Sequence, residues 1–199
     1  MTRPSVLLIT GLPATGKTTL ARRLASRYGL PLLGKDLIKE PLLDVLGARD
    51  AADSRALSDA SFAVLFAMAR ELSVAGSHML LEGNFRPGAH EPALRDVLPW
   101  IESAQAEDRF AQVLCRAEES ERRARLARRQ SDPTRHPSHR DTGQASAPAA
   151  AAGDSFLDLP GPRWIHDGAA VHEVLAALDD WWKLRAISPK NHPAGEPRR

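Results

Sequence analysis

The stretch Ser5-Val-Leu-Leu-Ile-Thr-Gly11-Leu-Pro-Ala-Thr-Gly16-Lys17-Thr18 decides the fold of this chain. Its first six residues form a largely apolar run with β-branched members, which is typical of a strand buried on both faces of a parallel sheet. Residues 11–18 match the pattern G-x-x-x-x-G-K-[ST] completely. Residues 17–28 then carry apolar side chains at helical spacing and end at Gly29. This strand–loop–helix order predicts a phosphate-binding loop rather than a chance match in a turn.

Each residue type in this loop has a chemical reason. The two glycines permit backbone conformations and close approaches that a Cβ would block. The loop N–H groups and the positive end of the following helix would cradle phosphates. Lys17 would neutralise charge between the β- and γ-oxygens, and the Thr18 hydroxyl would be a Mg²⁺ ligand. The predicted nucleotide contacts are Gly11, Leu12, Pro13, Ala14, Thr15, Gly16, Lys17 and Thr18, with Thr19 reaching the α-phosphate.

The rest of the chain alternates short apolar runs with helical patterns. Strands are predicted at residues 31–34, 78–82, 110–115 and 164–166, and the main helices at 37–46, 55–75, 117–129 and 171–182. Strands that alternate with helices indicate crossover connections and a parallel sheet with helices on both faces. The sequence therefore predicts an α/β fold.

The composition is that of an ordinary globular domain. Of 199 residues, 43% are hydrophobic and 26% are charged, and the formal net charge is only +2. A global basic field that would by itself favour nucleic acid or a membrane is therefore absent. Cys115 is the single cysteine, so no intrachain disulfide forms, and no apolar run approaches the roughly 20 residues that a membrane span needs. We expect a cytoplasmic protein without a membrane anchor.

The phosphate loop does not by itself separate kinases from GTPases or motors. The guanine-specific pattern N-K-x-D is absent, since the only asparagines are Asn84 and Asn191 and neither lies in such a context. The chain is also too short to hold the sensor domain of a ring-forming ATPase. These absences favour a small-molecule kinase.

The sequence resembles small P-loop kinases, a group of AAA-domain kinases similar to zeta-toxin-like, chloramphenicol phosphotransferase-like and polynucleotide kinase-like proteins. The matching segments are residues 11–19, 33–40 (Leu-Gly-Lys-Asp-Leu-Ile-Lys-Glu), 81–85 (Leu-Glu-Gly-Asn-Phe), 128–141 and 157–160. The resemblance covers about residues 5–183. It implies a three-layer P-loop fold with a five-stranded parallel sheet in the order 2-3-1-4-5, a basic lid, and ATP and Mg²⁺ as cofactors.

Two carboxylates are expected at the ends of neighbouring strands. Asp36 follows the second strand, where open α/β sheets bind ligands. The resemblance implies that Asp36 accepts the proton of an attacking hydroxyl, whereas the residues alone also allow a helix N-cap. Glu82 ends the third strand and suits a Mg²⁺ water or a substrate hydroxyl, the alternative being an ion pair with an arginine.

Further polar residues flank these two carboxylates. Asn84 and Arg86 follow the third strand and are predicted substrate contacts, while Lys35 and Lys39 are expected to be solvated. Asp167 follows the fifth strand, where folds of this kind contact the adenine, and is a predicted nucleotide contact.

Arginines are concentrated in the helix predicted at residues 117–129 and in the segment after it. Arg122, Arg125 and Arg129 share a helical face because they are spaced by three and then four residues. The resemblance implies that Arg125 and Arg128 stabilise the transferring phosphoryl group, that Arg129 contacts the nucleotide, and that Arg135 closes on the substrate. The alternative is a solvated face paired with the neighbouring glutamates.

We expect a kinase domain over residues 1–187, with the lid at about 117–155 and a disordered tail at 188–199. The favoured function is transfer of the γ-phosphate of ATP to a hydroxyl of a small molecule. A 5′-hydroxyl polynucleotide kinase is an alternative, although aromatic residues interleaved with the basic ones are lacking. A nucleoside monophosphate kinase and a non-enzymatic ATP-dependent switch are others, but a switch has no use for a base such as Asp36. The acceptor and the oligomeric state stay undetermined.

Overall fold

The computed structural model describes residues 4–132, 136, 154–168 and 171–186. Its strands are β1 (Val6–Gly11), β2 (Leu32–Gly34), β3 (Met79–Glu82), β4 (Phe110–Cys115) and β5 (Arg163–His166). Its helices are α1 (Lys17–Tyr28), α2 (Lys35–Leu46), α3 (Ala51–Val74), α4 (Glu91–Val97), α5 (Glu119–Gln130) and α6 (Val171–Ala186), with a 3₁₀ turn at Pro99–Glu102.

The five strands form one sheet in the order β2-β3-β1-β4-β5, and every neighbouring pair is parallel. β1 is the central strand, with Val6 in register with Met79 on one side and Phe110 on the other. The predicted fold class and strand order are confirmed. Because all strands run the same way, the carboxyl ends of β1, β2, β3 and β4 meet at one edge of the sheet.

Two hydrophobic clusters cover the two faces of the sheet. Alternate residues of β1 point to opposite faces. Leu8 belongs to a cluster with Leu65 and other side chains of α3 and α4. Leu7 belongs to a second cluster with Leu24 of α1 and Leu178 of α6. The result is the expected arrangement of helix, sheet and helix in three layers.

Two helices extend beyond the bounds that the sequence predicts. α3 begins at Ala51 rather than Arg55 because the Asp50 carboxylate accepts hydrogen bonds from the N–H groups of Ala52 and Asp53. α6 continues to Ala186, beyond the predicted end at Trp182.

Most of the predicted lid, at 133–135 and 137–153, and the tail at 188–199 lie outside the described residues. The two ends of the predicted lid are described: α5 on one side, and residues 154–160, which return to the sheet, on the other. Within the described residues, none of the helices combines the length and apolar character that crossing a bilayer requires.

Candidate active site

The loop between β1 and α1 has the backbone conformation that its glycines permit. Gly11 has φ 139° and Gly16 has φ 94°. A Cβ on Gly11 would lie 2.2 Å from the carbonyl oxygen of Cys115, so only glycine allows β1 to pass β4 at this point. Ala14 also has a positive φ, of 67°, which the sequence pattern did not predict.

Two side chains form hydrogen bonds to the backbone of the phosphate loop. The Thr15 hydroxyl and the Lys17 ammonium both donate to the carbonyl oxygen of Leu12, at 2.8 Å and 2.9 Å. Desolvation lowers the pKa of Lys17, and the carboxylates of Glu82 and Asp36 raise it. Lys17 is therefore held over the loop with two carboxylates close enough to act on its charge.

Glu82 lies at the carboxyl end of β3 and is buried, with 3% of its surface exposed. Its Oε1 accepts a long hydrogen bond of 3.4 Å from the Thr18 hydroxyl. Burial raises the pKa of Glu82, while the Lys17 charge lowers it. Among the residues that the structure describes, no arginine pairs with this carboxylate.

Gly34, which the sequence reasoning missed, makes room for this carboxylate. A Cβ at Gly34 would lie 3.3 Å from Glu82 Oε2 and 3.1 Å from the Leu37 side chain. The only sequence signal was its place at the carboxyl end of β2. Thr18 and Glu82 present hard oxygen donors of the kind that Mg²⁺ prefers, and nucleotide phosphates and water would complete the coordination. The residues present therefore fit the predicted metal.

Asp36 lies in the first turn of α2 and is not the N-cap, because the helix begins at Lys35 and its N-cap is Gly34. The N-cap interpretation of Asp36 was therefore wrong. The Asp36 side chain is 41% exposed, and its Oδ1 accepts from the Lys35 ammonium at 2.9 Å. Asp36 also raises the pKa of both Lys17 and Glu82, so the three groups form one electrostatic cluster.

Two lysines of α2 were expected to be solvated and are not. The Lys35 side chain is only 12% exposed, and Lys39 is 5% exposed. The Lys39 ammonium donates to the Ser54 hydroxyl at 2.9 Å across the α2–α3 pair. The packing of α2 on α3 encloses Lys39, and the segment that begins at Gly83 passes close to Lys35; helical periodicity alone reveals neither contact.

The segment between β3 and α4, residues 83–90, adjoins the carboxylate cluster. A Cβ on Gly83 would lie 3.3 Å from both Lys35 Cβ and the Phe62 ring, so the segment passes close to α2 and α3. Asn84 and Arg86, the predicted substrate contacts, are half-buried here. Their role stays a prediction.

His90 closes this segment and was not recognised in the sequence. Its ring lies 4.2 Å from the Phe62 ring and 5.8 Å from the Phe85 ring, centroid to centroid. Its Nδ1 accepts a hydrogen bond from the Arg86 N–H at 2.8 Å. Burial lowers the pKa of His90 to about 4, so the ring is neutral at physiological pH. No local pattern marks a histidine for such a role.

Some arginines of α5 lie near the phosphate loop, and others are exposed to solvent. Arg125 donates to the carbonyl oxygen of Ala14 at 3.2 Å and also pairs with Glu121. The charge of Arg129 lowers the pKa of Lys17, which places Arg129 near the same loop. Arg128 is exposed, and within the described part of the chain its guanidinium makes no hydrogen bond or ion pair. Arg135 lies outside the described residues.

The predicted adenine contact lies at the β5 edge of the sheet, on the opposite side of β1 from β2 and β3. Asp167 is exposed and directly follows β5. β4 and β5 remain joined beyond their ends, since the Arg116 N–H donates to the carbonyl oxygen of His166 at 2.8 Å. The contact of Asp167 with a base stays a prediction.

A family model described as an AAA domain matches residues 6–150. A presumptive kinase from Chloroflexus aurantiacus is 28% identical, with a TM-score of 0.75, over 92% of this chain and 98% of that one. A sugar kinase from Janibacter sp. HTCC2649 is 15% identical, with a TM-score of 0.55; the match covers 92% of this chain and 96% of that one. The APS kinase of Mycobacterium tuberculosis, in complex with AMPPNP and APS, is 20% identical, with a TM-score of 0.50; the match covers 92% of this chain and 99% of that one. Among curated protein sequences, none matches the chain.

Proposed function

The chain belongs to the AAA domain family, and from this premise we propose that it is a kinase that moves the γ-phosphate of ATP to a hydroxyl of a small molecule. The observation that carries the proposal is the cluster of Lys17, Glu82 and Asp36 at the carboxyl edge of the sheet. The likeness to a presumptive kinase, at 28% identity over 92% of the chain, supports a phosphotransferase.

The phosphate loop and Lys17 would bind the nucleotide. The loop N–H groups and the first turn of α1 offer donors to the β- and γ-phosphates, as helix N-termini do for anions. Thr18 and Glu82 would hold Mg²⁺, and the bound ion would neutralise negative charge on the phosphates. Burial of Glu82 strengthens its interaction with a cation because little water screens it.

Asp36 would orient the acceptor hydroxyl and take its proton. A carboxylate that is 41% exposed can be reached by a substrate, and the Lys35 ammonium at 2.9 Å fixes its orientation. The transition state of phosphoryl transfer is loose, so a base of this kind acts mainly by positioning the hydroxyl. Arg125 and Arg129, which approach the loop from α5, would stabilise charge on the transferring group.

The proposal is tested with two variants and two assays. Lys17→Ala should weaken binding of Mg–AMPPNP and abolish transfer from γ-³²P-labelled ATP to a panel of sugars, nucleosides, antibiotics and oligonucleotides. Asp36→Asn should bind Mg–AMPPNP within about threefold of the wild type yet lose at least about 100-fold in transfer rate. Full transfer activity in the Asp36→Asn variant would refute the role of Asp36. Failure of the wild type to bind any nucleoside triphosphate would refute the function.

A further inference from the structure

The main chain of residues 83–90, here named the acceptor loop, is held at three points. The Gly83 N–H donates to the carbonyl oxygen of Ile9 at 3.2 Å. The buried Thr10 hydroxyl donates to the carbonyl oxygen of Phe85 at 3.2 Å. The Arg86 N–H donates to Nδ1 of His90 at 2.8 Å. Two of these bonds come from β1 and join residues far apart in the chain, so the loop has little freedom to change shape.

Two polar side chains of the acceptor loop, those of Asn84 and Arg86, have no partner among the described residues. Within the described part of the chain, the Asn84 amide and the Arg86 guanidinium make no hydrogen bond and no ion pair, although both residues are half-buried. Arg22 and Arg23 of α1 also lack such a partner there, but they are exposed. A guanidinium that is partly removed from water gains most from an anionic partner.

The acceptor loop is adjacent to the residues proposed to act on the hydroxyl. Gly83 directly follows Glu82, and its Cα approaches Lys35 so closely that a Cβ would lie 3.3 Å from Lys35 Cβ. The Lys35 ammonium in turn pairs with Asp36. A molecule whose hydroxyl meets Asp36 can therefore reach the acceptor loop past Lys35, at the start of α2.

His90 is suited to hold Arg86 because it is both an aromatic ring and a hydrogen-bond acceptor. Its ring packs among Phe62, Phe66 and Phe85, and only 7% of the residue is exposed. A phenylalanine would make the same contacts but could not accept from the Arg86 N–H. The charged groups that act on His90 are Arg86, Glu91 and Asp59, the last from α3.

We propose that the acceptor loop is an anion subsite in which Arg86 binds a carboxylate or phosphate group of the acceptor and His90 is the positioning residue that holds Arg86. The inference rests on the proposed function, since it concerns the molecule that receives the phosphate. It narrows the acceptor to hydroxyl compounds that carry an anionic group. Arg86 supplies two parallel N–H donors, a geometry that matches both kinds of anion.

Direct binding of simple anions tests the subsite. The full chain is saturated with Mg–AMPPNP, so that the phosphate loop is occupied, and binding of labelled inorganic phosphate and of labelled acetate is measured by equilibrium dialysis at constant ionic strength. At least one anion should bind with a stoichiometry near one, and Arg86→Gln should weaken it at least about tenfold. Arg23→Gln, which removes an exposed arginine from α1, should leave the affinity unchanged.

Phosphate and acetate distinguish a phosphorylated acceptor from one that carries a carboxylate. Binding of phosphate but not acetate assigns a phosphorylated acceptor, and the reverse assigns a carboxylate. If neither anion binds, or if Arg86→Gln binds both as well as Arg23→Gln does, the subsite is refuted. Saturation by Mg–AMPPNP is checked separately, so its failure would count against the proposed function and not against the subsite alone.

The positioning role of His90 is tested with two complementary variants. His90→Phe keeps an aromatic ring but removes the acceptor, whereas His90→Asn keeps an acceptor at the position of Nδ1 but removes the ring. Anion affinity should fall several-fold in His90→Phe and be largely retained in His90→Asn, although His90→Asn should be the less stable of the two. If anion affinity instead falls more in His90→Asn, the less stable variant, than in His90→Phe, then His90 is only a packing residue and its positioning role is refuted.

Discussion

Gly11 is the residue at which β1 becomes the phosphate loop, and it lies against the end of β4. Its φ of 139° is a conformation that side chains with a Cβ rarely adopt. The Cys115 carbonyl oxygen would lie 2.2 Å from a Cβ at this position, and it cannot move without breaking the β1–β4 register that ends at these two residues. Position 11 therefore tolerates only glycine, for reasons of conformation and of space.

Replacement of Gly11 by alanine should destabilise the protein by about 3 kcal/mol or more, since strain and overlap add. Affinity for Mg–AMPPNP should fall more than about tenfold because the loop must move. Gly29→Ala is the matched control: Gly29 also has a positive φ, of 62°, but open space around it, and its substitution should cost only about 1 kcal/mol. Urea denaturation and nucleotide titration check both values. Equal effects of the two substitutions would contradict the overlap.

His90 should make stability depend on pH. The pKa of this histidine falls from 6.5 to about 4 on folding because burial disfavours the charged ring. Between these values the unfolded chain binds a proton that the folded chain does not, so stability falls as pH decreases from about 6.5 to about 4. The loss amounts to at most about 3 kcal/mol.

The contribution of His90 is isolated by comparison with His90→Phe. The free energy of unfolding of the wild type, minus that of the variant, should decrease as pH is lowered through this window and be constant above it. Titrating groups that do not interact with His90 contribute equally to both proteins and cancel. A difference that stays flat from pH 7 to pH 4 would show that the ring of His90 is protonated as easily in the folded state as in the unfolded one.

Helix α2, which carries Asp36, packs against α3. The Lys39 ammonium and the Ser54 hydroxyl join them at 2.9 Å. The start of α3 is set by Asp50, whose Oδ1 accepts from the N–H groups of Ala52 at 2.8 Å and Asp53 at 2.9 Å. The cap satisfies donors that would otherwise have no partner in the first turn.

Removal of this cap should shorten α3 without affecting the phosphate loop. Asp50→Ala should lower the free energy of unfolding by about 1 kcal/mol, whereas Asp50→Ser, which keeps an acceptor, should lose less than half of that. Chemical denaturation measures both, and Mg–AMPPNP affinity should be unchanged in each variant. If alanine and serine cost the same, the side-chain oxygen of residue 50 is not what begins the helix.

At the scale of the whole molecule, one buried glutamine attaches the chain that follows the predicted lid to the sheet. Gln112 of β4 is fully buried. Its Nε2 donates to the carbonyl oxygens of Leu157 and Leu159, and its Oε1 accepts from the Leu157 N–H at 3.0 Å. These bonds anchor the described segment 154–160 before it enters β5.

Gln112→Leu should destabilise the protein by about 2–3 kcal/mol, because it leaves backbone groups of Leu157 and Leu159 buried with fewer partners. The phosphate loop begins beside Cys115, at the carboxyl end of β4, and shares no contact with the Gln112 side chain's partners, so Mg–AMPPNP affinity should change less than about twofold. Denaturation midpoints and nucleotide titration test the two statements. A variant as stable as the wild type would show that water or a local shift replaces the glutamine.

What the sequence by itself determined is the local chemistry. The phosphate loop is contiguous, and its glycines, Lys17 and Thr18 act through neighbours in the chain, so their pattern could be recognised without a structure. The alternation of strands and helices and the resemblance together predicted the sheet order, which is confirmed. Asp36 and Glu82 were found because each directly follows or ends a strand.

Only the tertiary structure decided which side chains meet across the sheet edge. The Thr10 hydroxyl donates to the Phe85 carbonyl oxygen, and Gly34 leaves space for Glu82; both contacts join residues that are distant in the chain. His90 holds Arg86 only because three phenylalanines from two separate segments enclose its ring. Such contacts depend on burial and on the packing of elements that are distant in the chain, and hydrophobic periodicity along one element carries no information about either.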